Sequence, residues 1–246
     1  MLLALDMGNT DTSVGIFRGK IPIFSTRVPT GAFETFFHRK NILKGSVESA
    51  IISSVVPAMN PTIRAFLKKH GIKNVKFVSH KLRSPISLKV DRPSEVGADR
   101  IVNAVAAYQI FRKSLLVIDL GTATTIDYIN HRGAYRGGVI IPGLKISAEA
   151  LFERAAKLFR IKLKAPKKIL GRNTVSQMQS GIVLACAAML DAMVKKIQKE
   201  IGEKPKTVLT GGLGFLMKNL LSTPHHFDPN LTLKGLRVLA EYNGLK

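Results

Sequence analysis

The chain has 246 residues, of which 46% are hydrophobic and 22% are charged. This balance is that of an ordinary globular protein and excludes a disordered, collagen-like or coiled-coil chain. The length falls between one large domain and two modest ones. Lysine and arginine number 38 against 16 aspartates and glutamates, which gives a net charge of +22. A field of this sign attracts anions such as nucleotides, nucleic acids or acidic lipids.

The apolar runs predict no membrane-spanning segment, because runs such as 182–190 are much shorter than the roughly 20 residues that a spanning helix needs. The N-terminus lacks a basic region and reaches a carboxylate at Asp6, so it does not resemble a signal peptide. Cys186 is the only cysteine and cannot form an internal disulfide. We therefore expect a cytoplasmic protein with no membrane partner.

Strands and helices are predicted to follow one another along the whole chain. The predicted strands are apolar runs bounded by turn residues, at 2–5, 13–17, 21–27, 50–56, 75–78, 115–120, 124–129, 134–141 and 207–209. The predicted helices have apolar residues at helical spacing, at 32–43, 61–70, 95–111, 174–201 and 233–242. This mixture predicts an α/β protein.

An internal repeat relates the two halves of the chain. Residues 2–10 align with residues 115–123, and each copy is an apolar strand that runs into an Asp-x-Gly turn. The segments that follow each copy also correspond, as strand, turn, strand and then helices. We therefore predict a duplicated protein with halves 1–113 and 114–246, each carrying one glycine turn at the end of its central strand, where ligands bind in open α/β sheets.

The turn that follows Asp6 has the composition of a phosphate-binding site. Gly8 allows backbone N–H groups to approach a phosphate closely, and Asn9 and Thr10 add side-chain donors. Asp6 cannot bind phosphate directly, but it can hold a hydrated divalent cation that bridges phosphate oxygens. An ordinary Asp-Gly hairpin is the alternative. The repetition of the turn at Asp119 favours a polyphosphate ligand over that alternative.

A third motif precedes the predicted helix at 95–111. Asp99 could deprotonate a substrate hydroxyl, as the catalytic aspartate of protein kinases does, and Arg100 could bind a carboxylate through two parallel N–H groups. The alternative is an acid favoured by the helix dipole beside a surface arginine. Together with two phosphate-type turns, the motif favours a kinase.

The chain resembles the type III pantothenate kinases over nearly its whole length. The resemblance is carried by eight motifs in order, at residues 6–10, 97–100, 119–125, 137–143, 171–174, 179–181, 210–212 and 231–236. It implies the duplicated ribonuclease-H-like fold of the acetate and sugar kinase, heat-shock chaperone and actin superfamily. It also implies transfer of phosphate from ATP to pantothenate, giving 4′-phosphopantothenate in the first step of coenzyme A biosynthesis.

The resemblance assigns roles to individual residues of this sequence. ATP is expected at Asp6, Met7, Gly8, Asn9, Thr10, Asp11, Thr12, Ser13 and Thr122. Pantothenate is expected at Gly97, Ala98, Asp99, Arg100 and Thr174, with Asp99 as the catalytic base. Asp119 resembles the ligand of a monovalent cation, and residues 210–212 are expected near the nucleotide base. Magnesium, potassium or ammonium, and a homodimer with the substrate site near its interface are implied as well.

Two features depart from the family pattern. Many relatives have a tyrosine in the substrate pocket near the position that Val90 occupies here. The strongly basic composition is also unusual. A regulatory or nucleic-acid-binding protein on the same fold, or a kinase for another small hydroxyl substrate, therefore stays open. The presence of all four charged residues (Asp6, Asp99, Arg100 and Asp119) favours the kinase, and no specific nucleic-acid partner is expected.

Overall fold

The computed structural model describes residues 1–40 and 47–245, so the last residues of the helix predicted at 32–43 lie outside the described part. The described residues of Met1–Arg112, Gly133–Arg136 and Asn230–Lys246 form one compact unit. Lys113–Arg132 and Gly137–Pro229 form the second. The division into duplicated halves at 1–113 and 114–246, which was made from the sequence repeat, remains a prediction.

Short strands and helices alternate through both units. The strands are β1 Leu2–Met7, β2 Asp11–Arg18, β3 Ile21–Pro29, β4 Ser49–Ser54, β5 Asn74–Phe77, β6 Ser87–Leu88, β7 Leu115–Leu120, β8 Ala123–Ile129, β9 Ala134–Pro142, β10 Lys206–Thr210 and β11 His225–Phe227. The helices are α1 Phe33–Lys40, α2 Asn60–Lys69, α3 Ala98–Phe111, α4 Leu144–Arg154, α5 Thr174–Gln179, α6 Ala185–Ile201, α7 Gly214–Met217 and α8 Leu231–Tyr242. None of the helices in the described residues is long and apolar enough to cross a membrane.

The sheet of the first unit has the strand order β3-β2-β1-β4-β5. The first three strands form an antiparallel meander, and β4 and β5 continue the sheet in parallel with β1. Its central strand β1 is buried from Leu2 to Leu5, as expected for a strand covered on both faces. The core beneath it includes Leu3, Leu5, Phe33 and Phe66.

The second sheet repeats this order, since β9, β8, β7, β10 and β11 are neighbours in that sequence. The central strand β7 is antiparallel to β8, while β10 and β11 run parallel to β7. The two central strands, β1 and β7, even share the same pattern of burial along their six residues. The repeat and the ribonuclease-H-like fold that the sequence predicts are therefore confirmed.

Two predicted helices differ from those in the structure. The helix predicted from residue 95 begins at Ala98, because Pro93–Glu95 forms a separate 3₁₀ turn. The single helix predicted at 174–201 is divided by a π-helical turn at Ser180–Leu184. Such single π turns are uncommon and are often found near functional sites.

Four short or amphipathic elements are absent from the prediction: β6, α4, α7 and β11. The strands β6 and β11 have two and three residues, too few for a period-2 pattern to be recognised. Their existence depends on neighbours, since β6 pairs with β9 and β11 pairs with β10.

Candidate active site

The first glycine turn joins β1 to β2 and is held by backbone and side-chain hydrogen bonds. The Gly8 N–H donates to the carbonyl of Asp11 at 3.0 Å, and the Thr30 hydroxyl donates to the carbonyl of Gly8 at 2.7 Å. A Cβ at position 8 would lie 2.9 Å from the Asp11 carbonyl oxygen, so this tight turn has no room for a side chain. Asn9 and Thr10 lie exposed at its tip.

Buried hydroxyl groups support the turn from below. Thr12 is fully buried, and its hydroxyl lies 3.0 Å from that of Thr30 and donates to the sulfur of Met7 at 3.3 Å. Because Thr30 also binds Gly8, a chain of hydrogen bonds connects the turn to the core. Met7 and Thr12 therefore act in the support of the turn, while Asp11 and Ser13 are half-buried beside it.

The carboxyl of Asp6 lies at the end of β1 in an environment that opposes ionisation. Burial raises its pKa from 3.8 to about 7, and the negative charge of Asp99 adds to this increase. The neighbouring hydroxyl of Ser53 and the positive charge of Arg27 lower the pKa of Asp6 in part. Ser53 is the register partner of Asp6 on β4. Asp6 on β1 and Asp99 on α3 thus lie near enough in the first unit for their charges to interact.

The first turn of α3 carries the predicted substrate motif. Gly97 is the residue that caps the helix, and Asp99 lies in the first turn, where its Oδ1 accepts a hydrogen bond from the backbone N–H of Arg100 at 2.8 Å. A Cβ at Gly97 would lie 2.6 Å from the same Oδ1. The glycine therefore leaves space for the Asp99 carboxyl, and Ala98 packs into the core.

Tyr135 lies against Arg100. The guanidinium carbon of Arg100 is 5.9 Å from the centre of the Tyr135 ring, and this ring is buried. Tyr135 is on β9, and its carbonyl accepts a hydrogen bond from the N–H of Lys89 at 2.8 Å. Val90 follows Lys89 directly, so an aromatic ring from β9 lies close to both Arg100 and the segment around Val90. No pattern in the sequence connects position 135 with position 100.

In the second unit, Asp119 occupies the position on β7 that Asp6 occupies on β1. Asp119 pairs with Thr125 on β8 and with Thr210 on β10, as Asp6 pairs with Ser13 on β2 and Ser53 on β4. The equivalence extends to the residues on both neighbouring strands, all of which carry hydroxyl groups. The two copies of the sequence repeat therefore occupy equivalent positions in their sheets.

Two glycines pack directly against the second turn. A Cβ at Gly211 would lie 2.4 Å from Oδ1 of Asp119, and Gly211 has a φ of 96°. A Cβ at Gly143 would lie 2.1 Å from the carbonyl oxygen of Thr122. The motifs at 137–143 and 210–212 thus enclose Asp119 and the exposed Thr122, and this role was not predicted.

Thr174 is carried by a different element, as the first residue of α5. Asn173 caps this helix, since its Oδ1 accepts from the Ser176 N–H at 2.9 Å while its own N–H donates to the Ser176 hydroxyl at 3.2 Å. A capping box of this kind fixes where the helix begins. Thr174 is half-buried there.

The segment before Thr174, residues 162–171, accepts hydrogen bonds from side chains of α5 and the π turn. Gln179 donates to the Lys162 carbonyl at 2.8 Å, and Ser180 donates to the Ile169 carbonyl at 2.5 Å. Gln177 donates to the carbonyl of Gly171 at 3.3 Å. The motif at 179–181 therefore binds the backbone of this segment, which the sequence did not reveal because the partners are separated by up to 17 residues.

The described residues contain no group of three or more His, Cys, Asp or Glu side chains that could hold a metal ion by themselves. A cation at Asp6 or Asp119 would therefore need oxygen ligands from its waters, from the backbone or from a bound phosphate.

Comparison with known proteins identifies one family. The sequence model of the type III pantothenate kinase family matches residues 2–196. The chain is 40% identical over 249 residues to the type III pantothenate kinase of Syntrophotalea carbinolica, covering 97% of this chain and 98% of that protein. It is 41% identical over 250 residues to that of Desulfatibacillum aliphaticivorans, covering 97% of each. The enzyme of Brevibacillus brevis is 40% identical over 253 residues, covering 99% of each.

Solved structures share the fold at much lower identity. A Campylobacter jejuni protein named for the Baf family of transcriptional activators aligns with a TM-score of 0.63 at 18% identity, covering 98% of each chain. A Porphyromonas gingivalis protein named for N-acetylglucosamine kinase activity aligns with a TM-score of 0.56 at 11% identity, covering 100% of each. At these identities the similarity establishes the fold alone, which is that of the sugar kinases.

Proposed function

The chain belongs to the type III pantothenate kinase family, whose members phosphorylate pantothenate with ATP in coenzyme A biosynthesis, and we propose that Asp99 is the general base of this reaction. The observation that carries the proposal is the pairing of Asp99 and Arg100 on the first turn of α3, where the charge of Asp99 acts on the carboxyl of Asp6. A base and an anion-binding group are thus combined on one rigid element.

The proposed reaction is a direct phosphoryl transfer. The Asp99 carboxylate accepts the proton of the 4′-hydroxyl of pantothenate while the hydroxyl oxygen forms a bond to the γ-phosphorus of ATP. The bond from this phosphorus to the bridging oxygen breaks, and ADP leaves with the electron pair. Arg100 binds the carboxylate of pantothenate through parallel N–H groups and so holds the hydroxyl in line. Gly97, Ala98 and Thr174 complete the proposed pantothenate site.

We propose that the phosphates of ATP bind at the first glycine turn. There, residues 6–13 offer a backbone without a side chain at Gly8 and exposed donors at Asn9 and Thr10. Such an arrangement suits phosphate oxygens. Thr122, exposed on the turn after β7, is the proposed additional contact.

Magnesium fits the residues of the first turn. Asp6 and Asp99 place two carboxyl groups near each other, and a hydrated divalent cation favours oxygen ligands of this kind while keeping several of its waters. When bound, it would neutralise charge on the ATP phosphates. We propose Asp6 as the residue that holds this ion through water.

A monovalent cation, potassium or ammonium, fits the second turn. Because a Cβ at Gly211 would lie 2.4 Å from Oδ1 of Asp119, the glycine allows the Asp119 carboxyl to lie at this turn, where it can offer an oxygen ligand. Asp119 is the proposed ligand.

We also propose that the enzyme is a homodimer in the cytoplasm. The side chains of Ile169 and Leu170 are 76% and 85% exposed, and a second copy of the chain would remove such apolar surface from water. Cys186 is buried and free, which suits a reducing compartment.

The assignment of the base is tested by an ADP-release assay with pantothenate as substrate. Asp99→Asn keeps the size of the side chain but cannot accept the proton, so kcat should fall by at least about a hundredfold. The unfolding temperature should change little. Glu95→Gln, which removes an exposed negative charge four residues earlier, is the matched control and should keep full activity. If Asp99→Asn retains most of its turnover, Asp99 is not the base.

A further inference from the structure

The motif at residues 231–236 has no part in the chemistry described above, yet it forms the start of α8, a buried helix of the first unit. This helix packs against α3, which carries Asp99 and Arg100. It also packs against β1, which carries Asp6. Leu233 reaches β2 as well, where its methyl groups lie 3.2 Å from the position of a Cβ at Gly15.

Gly235 allows the backbones of α8 and α3 to approach closely. A Cβ at this position would lie 2.1 Å from the carbonyl oxygen of Val102 and 2.8 Å from its Cγ1. Gly235 is buried, so a side chain there could not turn into solvent. Any substitution must therefore move one helix away from the other.

A polar contact fixes the two helices along their axes. The hydroxyl of Thr232 donates a hydrogen bond of 2.8 Å to Oδ1 of Asn103, whose side chain is 1% exposed. A hydrogen bond has strict limits of distance and angle, so it defines one alignment where apolar packing tolerates several. Asn103 lies one helical turn after Asp99 and Arg100, on the same side of α3.

We propose that Thr232 and Gly235 are positioning residues, which hold α3 so that Asp99 and Arg100 meet pantothenate in the productive geometry. Gly235 sets the separation of α3 from α8, and the bond from Thr232 to Asn103 sets its alignment. A displacement of about 1 Å in a catalytic group can cost about a hundredfold in rate, so a contact one turn away is close enough to matter. The inference rests on the proposed roles of Asp99 and Arg100.

Thr232→Val and Thr232→Ser test the proposal together. Valine has the shape of threonine without its hydroxyl, while serine keeps the hydroxyl. We expect Thr232→Val to lower kcat/KM for pantothenate by about tenfold, because α3 loses its alignment. The KM for ATP should stay within about twofold, because the first glycine turn is held by β1 and β2. Thr232→Ser should recover most of the activity.

Phe66→Leu on α2 is the control for a general loss of stability. It removes buried volume from the core of the same unit without touching the bond from Thr232 to Asn103. At a temperature well below the unfolding of every variant, it should keep wild-type kinetics even if it unfolds as early as Thr232→Val. Gly235→Ala provides a second variant that should also lower kcat/KM for pantothenate selectively.

The outcomes separate this inference from the function on which it rests. If Thr232→Val keeps wild-type kcat/KM for pantothenate, or if Thr232→Ser is equally impaired, the positioning role is wrong while the proposed base stands. If both the Phe66→Leu and the Thr232→Val enzymes lose activity toward both substrates equally, the effect is one of stability and the inference fails. If Asp99→Asn is active, the proposed base fails and this inference fails with it.

Discussion

At the scale of the residue, the carboxyl of Asp6 shows how the site opposes the stability of the fold. Burial and the charge of Asp99 raise its pKa to about 7, so near neutral pH the ionised form is unfavourable in the folded chain alone. A cation or a ligand that supplies positive charge would make ionisation favourable again. Without such a positive charge, ionisation of Asp6 lowers the stability of the folded chain.

Replacement of Asp6 by asparagine should remove the loss of stability that ionisation of Asp6 causes, and this effect should depend on pH. The folded chain holds the Asp6 proton more tightly than the unfolded chain, because the pKa is raised from 3.8 to about 7. This stabilising contribution is complete below about pH 4 and is lost as the pH rises through about 7. Without ATP or divalent cations, Asp6→Asn should therefore unfold several degrees above the wild type at pH 8, and the difference should shrink towards pH 5.

Asp191→Asn is a control whose effect on the unfolding temperature should have the opposite sign. Burial alone would raise the pKa of Asp191, but hydrogen bonds from Thr223 and Ser222 lower it overall. Its carboxylate therefore stabilises the fold at neutral pH, and Asp191→Asn should lower the unfolding temperature there, with a smaller effect in acid. Unfolding temperatures of wild type and Asp6→Asn that run parallel from pH 5 to 8 would contradict the raised pKa of Asp6.

Asp119 should determine the response to monovalent cations. We expect turnover to require potassium or ammonium, since the carboxylate beside Gly211 can supply one oxygen of a cation site. Asp119→Asn should weaken this dependence, whereas Glu149→Gln on α4 should leave it unchanged. The measurement is turnover in potassium, ammonium and sodium buffers at one ionic strength. Full wild-type activity in sodium alone would count against the assignment.

At the scale of the element, the irregular connection between α4 and α5 is ordered by its neighbours. Leu158, Ile161 and Leu163 pack against the core of the second unit. Gln177, Gln179 and Ser180 bind its backbone carbonyl groups. Connections of this length without regular structure are uncommon in compact domains and are usually either functional or disordered linkers, and the contacts above show that this one is ordered.

Ser180→Ala should loosen this connection without changing the rest of the unit. The Ile169 carbonyl loses the donor that now binds it, and a lost hydrogen bond of about 1 kcal/mol corresponds to a roughly fivefold increase in local opening. Limited digestion with trypsin should therefore cut faster at the lysines of residues 162–168. Thr223→Ala, which removes a hydroxyl bond to Asp191, is the matched control and should be cut there at the wild-type rate. Equal rates for Ser180→Ala and wild type would show that the bond does not hold the segment.

Over the whole molecule, the net charge of +22 creates a field that can attract more than one kind of anion. Residues 49–90 and 154–190 contain no aspartate or glutamate. Exposed basic side chains in the second stretch include Lys162, Lys164 and Lys168. This surface can attract ATP and pantothenate, which are both anions, and it can also attract nucleic acid.

A salt titration of one preparation should separate these two uses. Binding to a DNA duplex of arbitrary sequence should be weak and should fall steeply with salt, by about 10³–10⁵ between 50 and 200 mM if 6–10 phosphates are contacted. Turnover should persist, because the proposed ATP site offers directed backbone and side-chain groups in addition to the general field. Tight, sequence-selective binding at 200 mM salt would favour the regulatory alternative.

The family resemblance, the fold class and the two Asp-x-Gly turns could be predicted from the amino-acid sequence. These features are local, because a run of apolar residues and the turn after it are encoded within about ten neighbouring positions. The repeat at 2–10 and 115–123 could therefore be recognised directly, and the equivalent strand pairing of Asp6 and Asp119 confirms it.

The distant groups that support those turns could be identified in the folded structure alone. Thr232 and Asn103 are 129 residues apart in the chain, and the elements that carry Ser53, Tyr135 and Gly211 meet their partners through sheet pairing and helix packing. A hydroxyl or a glycine gives no sign in the sequence of the group that it will contact. These contacts depend on how whole elements bury their apolar faces, which is a property of the folded chain rather than of any short segment.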